Sequence, residues 1–291
     1  MIVPFTPGGS SDLTARVISQ QLSEQLGKSF VVDNRPGATG TIGTGIVAKS
    51  APDGYTLLLA DTSTTMMPSL YKSLSFDVAQ DFTPISQIIR SPQVYVVNPS
   101  LNVNTLKEFI ALAQANPGKF SYASAGAGSS PHLMIELFKK AANVNIAHIP
   151  YKGSGPAMAA VLGGEVAMST AGIATVLPYV NSGKVRALAI TTDGKRSPLM
   201  PTVPSMGEAG LSGMTIYAWH GLVGPVGMRK EVVNKLHSEV VKAIAVPSMK
   251  ERFIAQGGEL VGSSPEELSK LIRADLQRWA EVVKSAGITL E

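Results

Sequence analysis

Short apolar runs alternate along this chain with longer segments in which apolar residues recur every three or four positions. The first run, residues 2–5, predicts a β-strand, and the apolar stripe of residues 13–26 predicts an amphipathic helix that ends at Gly27. Strand and helix patterns then follow each other to the end of the chain. This order is typical of an α/β fold in which helices connect the strands of a mostly parallel sheet.

The remaining elements are predicted in the same way. Further strands are predicted at residues 30–32, 55–60, 93–97, 120–124, 147–149, 166–169, 185–190 and 217–223. Further helices are predicted at residues 38–49, 105–115, 133–142, 156–162, 173–179, 229–245 and 265–286. The pairs Thr105 with Glu108 and Ser264 with Glu267 have the spacing of capping boxes, which mark the starts of two of these helices.

One break in this pattern divides the chain into two lobes. The turn Asn98-Pro99-Ser100 interrupts the alternation, and the strand at 217–223 returns the chain to the first half. We therefore predict one lobe from residues 1–98 plus 222–291 and a second lobe from residues 99–221, each a central sheet flanked by helices. Two passages between lobes predict a hinged clamshell with a ligand cleft between its halves.

Composition excludes several classes of protein. The chain has 291 residues, of which 44% are hydrophobic, so it folds, and it contains no apolar run of membrane-spanning length. It has no cysteine, which excludes disulfides, thiolate nucleophiles and sulfur metal sites and suits an oxidising compartment. The net charge is only +4, without a dense basic run, which argues against nucleic acid and mildly favours small anions.

Two glycine- and serine-rich loops are the main candidates for ligand binding. Residues 6–12 precede the first helix, and residues 124–130 precede the helix at 133–142. The start of a helix presents unpaired amide donors and a partial positive charge, so each loop predicts a cradle for an anion. Each loop alone also fits an ordinary strand-to-helix turn, and Asp12 is interpreted as a cap or a brace of the first turn rather than as a ligand contact. Together, the two loops predict that both lobes hold one anionic molecule.

Polar residues after other strands extend this candidate site. They follow the strands that end near residues 60, 149 and 168, at the strand edge where open α/β sheets bind ligands. Lys152 is the one cation among them, and a solvated surface role fits it equally well. Asp193 is interpreted as a turn residue rather than a ligand or hinge contact. The candidate ligand-binding residues are Thr6, Pro7, Gly8, Gly9, Ser10, Ser63, Thr64, Ser124, Ala125, Gly126, Ala127, Gly128, Ser129, Ser130, Tyr151, Lys152, Thr170 and Ala171.

The sequence argues against catalysis. Residues 126–131 begin like a dinucleotide fingerprint, but Pro131 stands where the third glycine belongs, and neither a nucleophile elbow nor a P-loop is present. Ser129 and Ser130 lie so close to His132 that, at a helix start, the side chains point apart. The four histidines are scattered without metal-ligand spacing. We therefore expect no catalytic residue, no cofactor and no metal.

The chain resembles the Bug/TctC family, the solute-binding proteins of tripartite tricarboxylate transporters. The resemblance covers essentially the whole chain in the family's order, and its motifs are IVPFxPGGxxDxxAR at 2–16, VDNRPGA at 32–38, PDGYTL at 52–57, NPGK at 116–119, AGxGSSxHL at 125–133, HIPYKG at 148–153, RALA at 186–189, PTVPS at 201–205 and EAG at 208–210. It implies a periplasmic Venus flytrap protein, type II-like, that delivers a carboxylate to membrane permease partners. It also implies a signal peptide and a short mature N-terminus ahead of Ile2, so that Met1 heads a trimmed form.

The resemblance further implies how the ligand is held and where this chain departs from its relatives. The ligand carboxylate is expected to meet residues 124–130, with ordered waters and the 7–9 backbone completing the site. Many relatives carry acidic residues in the stretch that matches 166–172, where this chain has Ala167 and Ala171. If Ala171 faces the cleft, no carboxylate remains there for an amino group, which predicts a non-amino carboxylic acid. A monomer is expected. The rival interpretations are a ligand sensor for a membrane signalling protein and a serine-dependent hydrolase.

Overall fold

The computed structural model describes residues 1–192, 194–255 and 257–290. The chain forms two compact units: unit 1 comprises Met1–Arg90, Trp219–Ile254 and Gly258–Glu291, and unit 2 comprises Ser91–Ala218 and Ala255–Gly257. The unit boundaries differ from the predicted lobe boundaries at 98/99 and 221/222, and the division into ligand-binding lobes stays a prediction. Asp193, interpreted above as a turn residue, lies outside the described residues.

Strands and helices largely alternate, as predicted, and the structure adds helices at 62–70 and 247–255 and a strand at 259–260 that the sequence did not predict. Up to the first change of unit they are β1 (Ile2–Val3), α1 (Ser10–Leu26), β2 (Asp33–Asn34), α2 (Thr41–Ala48), β3 (Leu58–Asp61), α3 (Thr62–Leu70) and β4 (Phe82–Val97). Unit 2 continues with α4 (Leu106–Ala115), β5 (Ser121–Ser124), α5 (Ser130–Ala142), β6 (Ala147–Pro150), α6 (Ser154–Gly163), β7 (Met168–Gly172), α7 (Ile173–Asn181) and β8 (Arg186–Ile190). The chain ends with β9 (Tyr217–Pro225), α8 (Lys230–Ala245), α9 (Pro247–Ala255), β10 (Glu259–Leu260) and α10 (Pro265–Ala286).

Each unit contains a parallel core of three strands to which antiparallel strands are added. In unit 1, β1 is parallel to β2 and β3, while β3 is antiparallel to β9 and β4 is antiparallel to β10. In unit 2, β5 is parallel to β6 and β7, while β4 is antiparallel to β7 and β8. Both sheets are therefore mixed. The loops that lead into α1, α5 and α6 begin at the carboxyl ends of the parallel strands β1, β5 and β6.

The strand residues alternate between two apolar clusters in unit 1. Val3 and Leu59 pack in one cluster with residues of α1 and α8, whereas Ile2 and Leu58 pack in the other with residues of α3 and α10. This two-residue period is the consequence of side chains pointing to opposite faces along a strand. Because helices cover both faces, these strands appear in the sequence as short continuous apolar runs.

Unit 2 is built on the same principle. Val94 and Val96 of β4 pack in a cluster with residues of α6 and α7. Tyr95 lies on the opposite face, where its ring centroid is 5.4 Å from that of Phe138 and its hydroxyl donates to the carbonyl oxygen of Met134 at 2.8 Å. Helix α5 is therefore tied to the sheet directly behind the loop that precedes it.

Several predicted strand bounds were wrong. No strand forms at residues 30–32; instead β2 is Asp33–Asn34, because its register is set by pairing with Ile2 and Val3 of β1. Val31 is 66% exposed, so its apolar side chain does not mark a buried strand. β4 begins at Phe82 rather than at residue 93, which places the first unit boundary inside a strand.

Local helix signals were more reliable. Ser264 caps α10 in a reciprocal capping box with Glu267, and Gly287 ends the helix in a left-handed conformation, as predicted. Thr105 caps α4, but the Glu108 carboxylate accepts from Asn104 rather than from Thr105. Within the described chain, no helix is long and apolar enough to cross a membrane.

Replacing Gly43 of α2 with alanine tests the packing of α2 on β1. An added Cβ would lie 2.8 Å from the carbonyl oxygen of Arg35 and 2.9 Å from Cα of Pro4, and neither backbone atom can move aside cheaply. We expect Gly43→Ala to destabilise the protein by about 1–3 kcal/mol and to lower the urea midpoint. The control Gly155→Ala, at a helical position with nothing within 4 Å, should leave the midpoint unchanged or raise it slightly. Equal midpoints for the two variants would contradict this packing.

The environment of His220 leads us to expect that the free energy of unfolding decreases in mild acid. Its ring lies 3.1 Å from the Ser11 hydroxyl, and burial lowers its pKa from 6.5 to about 4. The unfolded chain therefore binds a proton between these values that the folded chain excludes, so stability is complete above pH 6.5 and decreases as the pH falls toward 4. His220→Gln should make the fall in urea midpoint over this range shallower. An unchanged slope in His220→Gln would count against a neutral His220.

Candidate functional site

The first candidate loop, between β1 and α1, is exposed throughout residues 6–10 and is braced from behind. The Gly8 N–H donates to the Asp12 carboxylate at 2.9 Å, and Gly8 has a φ of +87°, which favours glycine. Arg16 Nε and Asn34 Nδ2 donate to the same carboxylate at 3.0 and 2.9 Å. Asp12 is only 2% exposed. The interpretation of Asp12 as a brace of this turn is therefore confirmed.

The charge of Asp12 is balanced inside the protein. The hydrogen bond from Arg16, aided by those from Gly8 and Asn34, lowers the pKa of Asp12 to about 2, so the carboxylate is ionised at neutral pH. The adjacent guanidinium offsets its negative charge. An anion at the start of α1 thus meets a braced ion pair rather than an isolated carboxylate.

The start of α1 leaves amide donors of exposed residues without an acceptor among the residues that the structure describes. Gly9 occupies the N-cap position without a side-chain cap. In the described part of the chain, no group accepts a hydrogen bond from the amides of Gly9 or Ser10, while Leu13 N–H bonds back to the Gly9 carbonyl. These exposed donors sit at the positive end of the helix dipole, which is the electrostatic arrangement of an anion site.

The second candidate loop, between β5 and α5, is more tightly folded. Gly126 and Gly128 have φ values of +130° and +74°. The Ser129 N–H and hydroxyl both donate to the Gly126 carbonyl, at 3.2 and 2.6 Å, and Gly128 N–H donates to Nδ1 of His132 at 3.0 Å. The loop is therefore closed by its own hydrogen bonds.

These bonds separate the loop amides into two groups. The amides of Gly126, Gly128 and Ser129 are used within the loop. Of the described groups, none accepts from the amides of Ala127 and Ser130, and Ser129 does not cap α5 with its side chain. The sequence predicts a cradle formed by the whole loop, whereas in the described part of the structure the amides of Gly126, Gly128 and Ser129 are engaged and those of Ala127 and Ser130 remain without an acceptor.

A neighbouring loop lies against the second one. β5 and β6 are parallel, and their pairing continues beyond the strands: Tyr151 N–H donates to the Ser124 carbonyl at 3.0 Å, and Gly153 N–H donates to the Ala125 carbonyl at 3.3 Å. Helix α6 also starts without a side-chain cap, and Lys152 is exposed beside it. The structure therefore brings residues 124–130, Tyr151 and Lys152 together, as predicted from strand order.

Three other predicted contacts have internal roles in the structure. Ser63 and Thr64 are buried and donate through backbone and hydroxyl groups to the Asp61 carboxylate, which caps α3. Burial raises the pKa of Asp61. Ala171 packs in the apolar cluster of unit 2. The earlier argument for a non-amino ligand assumed that Ala171 faces the ligand, so this packing removes its support. Ligand contact by these residues stays a prediction.

Thr170 stands apart from these residues. It lies in β7 opposite Tyr95, is 2% exposed, and its hydroxyl has no hydrogen-bond partner within the described residues. Its predicted role as a ligand contact also stays a prediction.

Ser129 and His132 do not form a nucleophile–base pair. The Ser129 hydroxyl donates to the Gly126 carbonyl, and Nδ1 of His132 accepts from Gly128, so serine and histidine have different partners. The described residues contain no group of three histidine or carboxylate side chains placed to hold a metal ion. The geometry suits binding of an anion through backbone donors.

The sequence favours a hydrogen-bonded structural role for each histidine, but it did not reveal that two of them stack behind this loop. His132 and His148 stack in unit 2, and Ser124 Oγ lies 2.6 Å from Nε2 of His148. The available signal was the position of His132 four residues after Gly128, where a side chain on the first helical turn can reach back to the loop. His148 carried no comparable signal, because its position depends on the pairing of β5 with β6.

Comparisons with known proteins agree over the whole chain. A family model described as the tripartite tricarboxylate transporter family receptor, TctC, matches residues 14–288. Protein BugT of Bordetella pertussis is 40% identical over 293 residues, which cover all of this chain and 90% of BugT.

Solved structures give the same result. Rpa4515 of R. palustris, determined with adipate, is 35% identical, with a TM-score of 0.86 and coverage of 99% of this chain and 97% of that one. The periplasmic binding protein BugD is 36% identical, with a TM-score of 0.83 and coverage of 100% and 98%. MatC of Rhodopseudomonas palustris, with bound malate, is 30% identical, with a TM-score of 0.83 and coverage of 97% of each chain.

These similarities confirm the predicted fold class, an α/β two-lobed periplasmic binding protein. They also confirm the expectation of a binding protein, since the members of the family are solute-binding receptors and not enzymes. The chain belongs to the Bug/TctC family, the receptors of tripartite tricarboxylate transporters.

Proposed function

We propose that this protein acts in the periplasm as a monomer that binds a small non-amino dicarboxylate and delivers it to the membrane permease subunits of a tripartite transporter. Its carboxylates bind to backbone amides at the start of α1 and in the loop 124–130. The receptor family to which the chain belongs supports delivery to a transporter.

The observation that carries this proposal is the set of outward backbone donors at two uncapped helix starts, one in each unit. These donors are the amides of Gly9 and Ser10 in unit 1 and the amides of Ala127 and Ser130 in unit 2. Hydrogen bonds to a charged group contribute roughly 1.5–3 kcal/mol each. Four such bonds, reduced by the cost of ordering ligand and protein, reach the ~8 kcal/mol of micromolar affinity.

The surrounding charges support a ligand without an amino group. The Asp12 carboxylate is bonded by Gly8, Arg16 and Asn34, and the Asp61 carboxylate by Ser63 and Thr64. An ammonium group therefore finds these carboxylates already occupied. The solved relatives Rpa4515 and MatC were determined with adipate and malate, both dicarboxylates without nitrogen. Exposed Lys152 supplies a cation beside the loop for the second carboxylate.

Substitutions in the second loop test the cradle. Gly126→Val places a branched side chain at a φ of +130° and 3.5 Å from the Tyr151 carbonyl oxygen, which distorts the loop. We expect at least a tenfold loss of affinity for adipate or malate by calorimetry. Ser130→Ala removes a hydroxyl whose contact in the structure is a weak one with the Met134 sulfur, and we expect a loss of about threefold to tenfold.

Matched controls separate this effect from general damage. Gly183→Val changes another glycine of positive φ, with nothing within 4 Å, and Ser182→Ala removes an exposed hydroxyl at the end of α7. Both controls should bind as the unchanged protein does. Unchanged affinity in both Gly126→Val and Ser130→Ala would rule out this loop as the cradle.

A matched ligand series tests the chemical class. We expect malate and succinate to raise the melting temperature and to bind more tightly than aspartate, because the amino group of aspartate adds a positive charge without a free carboxylate partner. Adipate should likewise bind more tightly than its 2-amino derivative. Thermal shift followed by calorimetry measures the order, and tighter binding of the amino acids would contradict the proposed ligand class.

A further inference from the structure

Two histidines from different elements of unit 2 stack face to face behind the second loop. His132 lies on the first turn of α5 and His148 lies in β6; their ring centroids are 3.7 Å apart and the planes differ by 10°. Tyr122 of β5 extends the stack, with its ring 4.9 Å from that of His148. His132 is 5% exposed. The rings therefore restrict one another's positions.

Each histidine is bonded to a different part of the loop. The Gly128 N–H donates to Nδ1 of His132 at 3.0 Å. Nε2 of His148 lies 2.6 Å from Ser124 Oγ, and that hydroxyl bonds both the N–H and the carbonyl oxygen of Gly126. The two glycines of positive φ are thus each tied to one ring, and Ala127 lies between them.

The bond from Gly128 determines the proton position on His132. A backbone N–H only donates, so Nδ1 must accept, and the proton of the neutral ring lies on Nε2. In the imidazolium form both nitrogens carry protons, and this bond cannot form. Burial, with the neighbouring His148, lowers the pKa of His132 to about 4, and burial lowers the pKa of His148 as well. Glu136 and Lys139, which are paired at 2.7 Å, face the stack with opposing effects.

We infer that His132 and His148 are positioning residues for the ligand carboxylate: the stacked pair holds Gly126 and Gly128 so that the amides of Ala127 and Ser130 stay directed outward. This inference rests on the proposed carboxylate-binding function. Glycines have wide conformational freedom, so an untethered loop must be ordered by the ligand at a cost in affinity. The two rings supply that order before the ligand arrives, although neither ring contacts the ligand.

Two substitutions at one position separate hydrogen bonding from packing. In His132→Asn, the amide oxygen is attached to Cγ as Nδ1 is, so it can accept from Gly128. In His132→Phe, a flat ring remains for stacking but no acceptor is present. We expect His132→Phe to bind adipate or malate at least tenfold more weakly than the unchanged protein, and His132→Asn to bind within about threefold of it. His237→Phe and His237→Asn, in α8 of unit 1, are the matched controls and should bind normally.

A second measurement needs no substitution. Long-range proton–nitrogen NMR correlations of the unchanged protein at neutral pH should show His132 neutral and protonated on Nε2. Protonation on Nδ1 would overturn the inference, as would normal binding by His132→Phe or equal weakening by the Phe and Asn variants. Failure of the unchanged protein to bind any dicarboxylate would instead refute the proposed function, so the two failures are distinguishable.

Discussion

The start of an α-helix leaves backbone N–H groups that the helix itself cannot satisfy, and the candidate site depends on how this chain treats them. At α3 and α10, Asp61 and Ser264 supply side-chain acceptors. At α1 and α5, the N-cap residues Gly9 and Ser129 supply none. The side chains of Asp61 and Ser264 accept hydrogen bonds from amides at the starts of α3 and α10. At the starts of α1 and α5, amides remain without an acceptor among the described groups and can donate to a negatively charged oxygen.

Fixed supports surround both uncapped starts. Asp12 holds the first loop through Gly8 and is itself neutralised by Arg16. The second loop is held by its own serines and by the histidine stack. The two loops thus use opposite means, an ion pair in one and neutral rings in the other, to fix glycine-containing backbone. Both means keep the local charge compatible with an anion.

Much of this arrangement was predictable because its signals are local. The order of strands and helices follows from apolar spacing, the end of α10 from Gly287, and the role of Asp12 from its distance along the chain to the glycine turn. The candidate loops themselves follow from glycine and serine placed between a strand and a helix. The family resemblance added the ligand class, which no side chain of the chain specifies by itself.

The features that the sequence did not reveal depend on pairing between distant segments. The register of β2 depends on β1, and the first unit boundary, between Arg90 and Ser91, lies inside the continuous strand β4. The stack of His132 on His148 requires β5 and β6 to lie side by side. Ser63 and Thr64 were predicted as ligand contacts because they are polar and follow a strand. In the structure, their N–H groups donate to the carboxylate of Asp61, their neighbour in sequence.

The outward donors of the second loop belong to the main chain, and this has a consequence for how such a protein diverges. Exchanging the side chain of Ala127 alters the surface of the candidate site but leaves its N–H in place. Attraction to negative charge is therefore inherited with the backbone conformation, while size and shape preferences drift through ordinary substitutions. Relatives about one-third identical in sequence, solved with a four-carbon and a six-carbon diacid, illustrate this freedom.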